Sequence, residues 1–114
     1  MHESVYDNFV ARMVKAFQSV KIGDPNIEGT LMGPLHTKNA VNDYVKGLEE
    51  IKKQGGKILT GGKVIDRPGN YVEPTIVEIP HDAAIVKHEI FAPILYVFKF
   101  KTLDEAIQWN NEVP

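Results

Sequence analysis

The run Ile94-Leu95-Tyr96-Val97-Phe98 has no polar position on either face, and a strand of that kind needs cover on both sides. It predicts a strand in the middle of a sheet. Just beyond it, Thr102-Leu103-Asp104-Glu105 has the spacing of a capping box, opening a helix that carries Ala106, Ile107 and Trp109. A covered strand feeding a capped helix is the βα half of a parallel unit, which constrains the chain toward an α/β architecture.

The segment in front of that strand, Lys87-His88-Glu89-Ile90-Phe91-Ala92-Pro93, brings together a carboxylate, an aromatic ring and a turn-forming proline. Loops of this type beside a buried strand are where α/β proteins tend to place ligand-handling groups, although on the residues alone Glu89 reads first as a solvated loop residue and Phe91 as core. His81 and His88 with Asp82 and Glu89 could be drawn as a metal cluster, but their spacing matches no common zinc pattern and favours loop roles. Gly55, Gly56, Gly61 and Gly62 fit neither G-x-G-x-x-G nor G-x-x-x-x-G-K-[ST], so turns are expected rather than a phosphate loop.

The preceding chain has the character of scaffold. Between Glu3 and Val20, Val5, Phe9, Met13, Phe17 and Val20 form one helical stripe predicted to face the core, with Ser4 as the expected cap. Gly23-Asp24-Pro25 is a stop signal, and the connection through Gly33-Pro34-Leu35 is expected to lie over a surface or a neighbour. Thr37 is placed to cap a second helix with Val41, Tyr44, Val45, Leu48 and Ile51 on one side, closed by Lys52, Lys53 and Gly55-Gly56. A short strand is predicted over Lys57 to Thr60, then a hairpin or meander through Arg67-Pro68-Gly69-Asn70 to a strand within Tyr71 to Ile79. Pro74 inside that last segment argues for an edge strand or a bulge.

Composition narrows the function classes. The 114 residues suit one domain, and the formal net charge of -2, with acids and bases interspersed, gives no footprint for nucleic acid or an anionic membrane. Neither nucleic acid nor membrane is an expected partner. No apolar run approaches a bilayer span, and His2-Glu3-Ser4 is polar where an export signal would be apolar. There is no cysteine, which excludes disulfides, zinc thiolates and a thiolate nucleophile from this polypeptide. The last predicted helix has no strand after it, and on that ground the chain is expected to be a piece of a longer protein, incomplete at both ends.

Six elements occur in one order along the chain: His2-Glu3-Ser4 before an amphipathic helix, Gly23-Asp24-Pro25, Gly33-Pro34-Leu35, Gly61-Gly62, Tyr71-Val72-Glu73-Pro74-Thr75 and Glu89-Ile90-Phe91-Ala92-Pro93. In this register the sequence resembles the catalytic domain of the NAD(P)-dependent aldehyde dehydrogenase superfamily over essentially its whole length. Leu35-His36-Thr37-Lys38, Arg67 to Thr75, Phe91 to Phe100 and Trp109-Asn110-Asn111-Glu112-Val113 look closest to the branch that oxidises a semialdehyde of lysine catabolism. Ala92 stands where many members have Gly, as it does in that branch.

The resemblance implies part of a Rossmann-like catalytic domain with a parallel-type sheet and flanking helices, spanning residues 1–114. It also implies an oxidoreductase parent that uses NAD to turn an aldehyde into a carboxylic acid, as a homotetramer in a cytoplasmic or mitochondrial setting. Glu89 matches the family carboxylate that accepts hydrogen bonds from the nicotinamide-ribose hydroxyls, and Phe91 the ring packed beside them. The family nucleophile, its glutamate base and the dinucleotide-binding domain fall outside this sequence, so no catalytic residue is assigned and the chain alone is expected to be inactive. Its expected partners are the rest of such a chain and, in the parent, a small aldehyde. The competing expectation is an autonomous, non-catalytic α/β interaction module.

Overall fold

His2, and not Ser4, caps the first helix, α1 (Glu3–Gln18). Its Nε2 lies 3.1 Å from the Lys101 carbonyl, a contact that needs the proton on Nε2 and leaves Nδ1 free to accept from the Ser4 amide at 3.1 Å. The cap is therefore long-range. Sequence proximity favoured the serine, whereas the histidine is selected by residues at the far end of the chain. The computed structural model describes residues 1–114 as α1, α2 (Lys38–Lys53), β1 (Lys57–Thr60), β2 (Thr75–Glu78), a 3-10 turn (Ala84–Lys87), β3 (Ile94–Val97) and α3 (Leu103–Asn111).

The helix starts that rest on local side chains follow the sequence. Thr37 Oγ1 accepts the Ala40 amide at 3.1 Å, and α2 ends with Gln54 and a left-handed Gly55 at φ 87°. Both halves of the capping box form at α3, between Thr102 and Glu105.

The three strands lie in the order β1-β2-β3, with β1–β2 antiparallel and β2–β3 parallel. The sheet is thus mixed, and its order corrects two expectations. The strand following Pro74 is the central one, while the all-apolar strand β3 has a partner on one side only. Pro74 is compatible with the centre because it precedes the first ladder residue, Thr75, whose amide donates to the Pro93 carbonyl at 2.8 Å. The irregularity lies instead on β1, where the register shifts between Ile58 and Thr60.

Alternation along β2 divides the core into two clusters. Val77 joins Tyr44, Leu48 and Ile51 of α2, with Val72 and Ile79, on one face, and Ile76 joins Tyr6 and Val10 of α1, with Val97, on the other. The α1 stripe is rotated from the expected one. Val5 and Phe9 are half exposed, whereas Tyr6 and Val10 are buried. Both sets have the same four-residue spacing, and the buried one packs against Ile76 and Val97 while the Tyr6 hydroxyl donates to Glu78. Met13 and Phe17 pack beneath the α1 cluster as expected. On α2, Val45 is exposed and Ala40 and Gly47 are buried in addition to the expected Tyr44, Leu48 and Ile51.

A buried polar knot fixes the approach to β2. The Tyr44 hydroxyl lies 2.8 Å from the Glu73 carbonyl and 2.9 Å from Thr75 Oγ1, which is itself 3.0 Å from that carbonyl and accepts the Gly62 amide at 2.9 Å. Two hydroxyl protons serve three oxygen–oxygen contacts, so one contact is always unbonded and the protons can redistribute within the knot. Gly61, at φ 78°, brings the chain against the Pro74 carbonyl beside it.

The first residues run alongside those following β3. The Met1 nitrogen donates to the Phe98 carbonyl at 3.0 Å, Phe100 N to Met1 O at 2.9 Å and Glu3 N to Phe100 O at 3.0 Å. The result is elongated, 45 × 27 × 21 Å, with a radius of gyration of 15.2 Å against about 13 Å for a compact domain of this length. No helix is long and apolar enough to cross a membrane.

Candidate functional site

Backbone alternation sorts the side chains of the loop before β3. Ile90 turns inward, whereas Glu89 and Phe91 on either side turn to solvent, Phe91 being 80% exposed. An aromatic ring left this open is unusual in a loop that is otherwise tightly held. Ala92 N donates to Ile90 O at 2.7 Å and Ile94 N to Ala92 O at 2.8 Å, giving two successive tight turns. Ahead of them, the Ile85 amide donates to Gln54 Oε1 at 2.8 Å, tying the 3-10 turn to the end of α2.

Glu89, Ile90 and Phe91 form one wall of a cleft of about 530 Å³ whose other wall is the start of α2, with His36, Thr37, Asn39, Asp43 and Lys46. The structure therefore brings the two sequence-predicted residues to one opening. Glu89 has no basic partner, since the single ion pair in the chain joins Lys99 to Asp7 at 3.8 Å. An unpaired carboxylate beside an exposed ring has the acceptor capacity and the apolar surface that a polyhydroxylated ring with a flat heterocycle needs. These two groups are of a chemistry compatible with a ribose that carries a flat base. Topology corrects one step of the sequence argument, because this loop lies at the amino end of β3 and ligand sites of open parallel sheets ordinarily lie beyond the carboxyl ends.

At the carboxyl end is a second cleft, of about 390 Å³, lined by Tyr6, Lys57, Glu78, His81, Phe98 and Lys99. Its polar groups are only partly engaged, since the buried His81 Nδ1 has no hydrogen-bond partner. Tyr6 holds Glu78, Lys99 Nζ sits 4.7 Å over the Tyr6 ring, and His81 stacks on Trp109 with ring centroids 3.7 Å apart. His81 and His88 consequently occupy different surroundings, one stacked in this cleft and the other exposed on the Glu89 loop.

Every one of residues 1–114 matches the model of the aldehyde dehydrogenase family. The chain belongs to the aldehyde dehydrogenase family. Among relatives, it is 57% identical to alpha-aminoadipic semialdehyde dehydrogenase of Bos taurus over 99% of this chain and 21% of that protein. It is 56% identical to aldehyde dehydrogenase family 7 member A1 of Brassica napus over 100% of this chain and 23% of that protein. Among solved structures, the NAD+ complex of the Bacillus cereus aldehyde dehydrogenase superposes with a TM-score of 0.92 at 33% identity, over 97% of this chain and 23% of that one. Betaine aldehyde dehydrogenase from Staphylococcus aureus, in complex with NAD+, gives 0.93 at 30% identity, over 97% and 23%. This aldehyde dehydrogenase sequence thus spans under a quarter of the length of those relatives.

Sequence reasoning overlooked Gly47, a buried glycine within α2 that Ile90 packs against. A helical glycine carries a local signal, since it weakens the helix it occupies, but the residue it accommodates is visible only in the fold.

Titration offers a check on how tightly this aldehyde dehydrogenase chain closes around its tyrosines. Burial, and secondarily the bond to Glu78, raise the Tyr6 phenol; burial raises Tyr44 and Tyr96. Each phenol is protonated in the folded chain at a pH where the unfolded chain, titrating near about pH 10, has released its proton. Their contribution to stability is accordingly complete below about pH 10 and is lost as pH rises through the folded-state values. We expect phenolate absorbance from these three tyrosines to appear together with the loss of helical ellipticity in an alkaline titration. Their ionisation with the helices intact would contradict the burial assigned to them.

Proposed function

We propose that residues 1–114 form part of the catalytic domain of an NAD-dependent aldehyde dehydrogenase and supply its nicotinamide-ribose contact through Glu89 and Phe91. The observation that carries this reading is the outward-facing pair on one wall of the cleft, in a chain matched along its whole length by the family model. The Glu89 carboxylate accepts the ribose hydroxyls and Phe91 packs against the sugar, which limits the orientations open to the nicotinamide. When bound, NAD supplies the hydride acceptor for oxidation of the aldehyde to the acid. The chain contains no cysteine, so the nucleophile of the whole enzyme belongs to sequence outside these residues.

The name of the Bos taurus relative supports a semialdehyde as substrate, and hence a place in lysine breakdown. Half-exposed Val5 and Phe9 on α1, with Leu103 and Ile107 at 70% and 52% exposure on α3, support packing of these faces against further domains or copies in a homo-oligomer. Residues 1–114 are on this reading one piece of a larger catalytic unit.

The test is Glu89→Gln in the full-length enzyme that carries these residues. Amide and carboxylate have nearly the same shape, so the change removes charge-assisted acceptance with little change in packing, a loss of about 1.5–3 kcal/mol. We expect NAD to bind roughly 10- to 100-fold more weakly, with a matching fall in hydride transfer read from single-turnover NADH formation. Unchanged affinity and transfer would remove Glu89 from the site. The 114-residue chain by itself is expected to form no NADH from any aldehyde, and turnover by it would overturn the division of labour proposed here.

A further inference from the structure

We propose that Gly47 is a positioning residue for the cofactor loop, a notch in α2 that seats Ile90 and thereby sets where Glu89 and Phe91 stand. The inference rests on the reading of those two residues as cofactor contacts. Gly47 is buried in the middle of α2, where glycine is the poorest helix former after proline. A Cβ built on it would lie 2.7 Å from Ile90 Cδ1 and 3.7 Å from both Cγ atoms, so the ordinary residue for a helix does not fit beside Ile90 as it is placed.

Ile90 is the residue best placed to transmit such a displacement. Glu89 and Phe91 are its immediate neighbours, and its carbonyl accepts the Ala92 amide at 2.7 Å in the first of the two tight turns. Beyond that turn the backbone is fixed, because the Pro93 carbonyl accepts from Thr75 of the central strand at 2.8 Å. On the other side Gln54, at the end of the same helix α2, holds Ile85 at 2.8 Å. A push at Ile90 is therefore confined between two anchors and is taken up by the Ile90 side chain and the short backbone carrying Glu89 and Phe91. Isoleucine is β-branched and stiff at χ1, so rotation of Cδ1, the far end of the side chain, is its easy relief, and the loop moves by what that rotation does not absorb in a packed site.

Three variants of the full-length enzyme test this: Gly47→Ala, the double variant Gly47→Ala/Ile90→Val, and Glu89→Gln for reference. Valine lacks the Cδ1 atom that the new methyl would meet. In Gly47→Ala we expect amide exchange in the peptide covering residues 88–92 to quicken several-fold and NAD to bind about tenfold more weakly. The melting temperature should change little, since the gain of about 1 kcal/mol from alanine over glycine in a helix opposes an overpacking cost of similar size. The added Ile90→Val change should bring exchange and affinity back to within about twofold of the parent. Unaltered loop exchange in Gly47→Ala, or a double variant no better than the single one, would overturn the seat.

The two readings fail separately. Faster exchange that Ile90→Val corrects, with constant NAD affinity, supports the seat and defeats Glu89 and Phe91 as cofactor contacts. Weakened NAD binding in Glu89→Gln, with neither exchange nor affinity moved in Gly47→Ala, upholds those contacts and defeats the seat.

Discussion

Gly61→Ala is expected to destabilise the chain by about 3 kcal/mol, combining a left-handed backbone penalty of roughly 1–2 kcal/mol with an overpacking cost of similar size. The residue holds φ 78°, and its Cβ would fall 2.3 Å from the Pro74 carbonyl oxygen and 2.8 Å from Thr75 Oγ1. Neither neighbour can retreat easily. The Thr75 amide is bonded to Pro93 at 2.8 Å and its hydroxyl to the Gly62 amide at 2.9 Å, so moving this segment disturbs the central strand and the Tyr44 knot together. Urea unfolding followed by ellipticity should show a lower midpoint with an unchanged slope. A stability within about 0.5 kcal/mol of the parent, the range of ordinary surface substitutions, would contradict the close approach.

Ile76→Ala should cost about 2–5 kcal/mol, the range for deleting a buried aliphatic side chain and leaving part of its volume empty. Ile76 is 0% exposed and is the β2 residue around which Tyr6, Val10 and Val97 gather. The same substitution at Leu95, 39% exposed on β3, should cost much less. The loss at Ile76 should also be directional. Its side chain faces α1 and not α2, so amide exchange should quicken first in Glu3–Gln18, while Lys38–Lys53 keeps the protection given by Tyr44, Leu48 and Ile51. Equal quickening in both helices would mean that the two clusters unfold as one.

What the sequence made legible was local. The β1 span Lys57–Thr60, the Thr37 cap and the Thr102/Glu105 box depend on residues within a few positions of one another, and each forms where it was predicted. The errors all involve a distant partner. Periodicity alone could not choose between Val5/Phe9 and Tyr6/Val10, because the partners of the buried pair, Ile76, Glu78 and Val97, lie far along the chain. Likewise, Ser4 was the better local cap, but Lys101 orients His2 for the task. Hydrophobicity placed β3 at the centre, whereas the partner count within the chain belongs to β2.

The candidate site divides the same way. Glu89 and Phe91 stand out as a motif in a family register, and their solvent-facing placement follows from alternation about Ile90. Gly47 looks in the sequence like a weak point in a helix. Its meaning depends on Ile90, a side chain far along the chain and beyond two strands, which is why it was missed.

The parallel run of the first residues beside Phe98 and Phe100 bears on how such a chain is made. During synthesis α1 leaves the ribosome well ahead of the backbone it docks on. Until then Tyr6 and Val10 lack Val97, and an amphipathic helix with an uncovered apolar stripe is open to wrong association. Docking α1 is also the closure of greatest sequence separation in the chain, and so the most costly in loop entropy. The interval between emergence of Gln18 and emergence of Phe100 is therefore the one in which the Tyr6 and Val10 face of α1 waits for its cover.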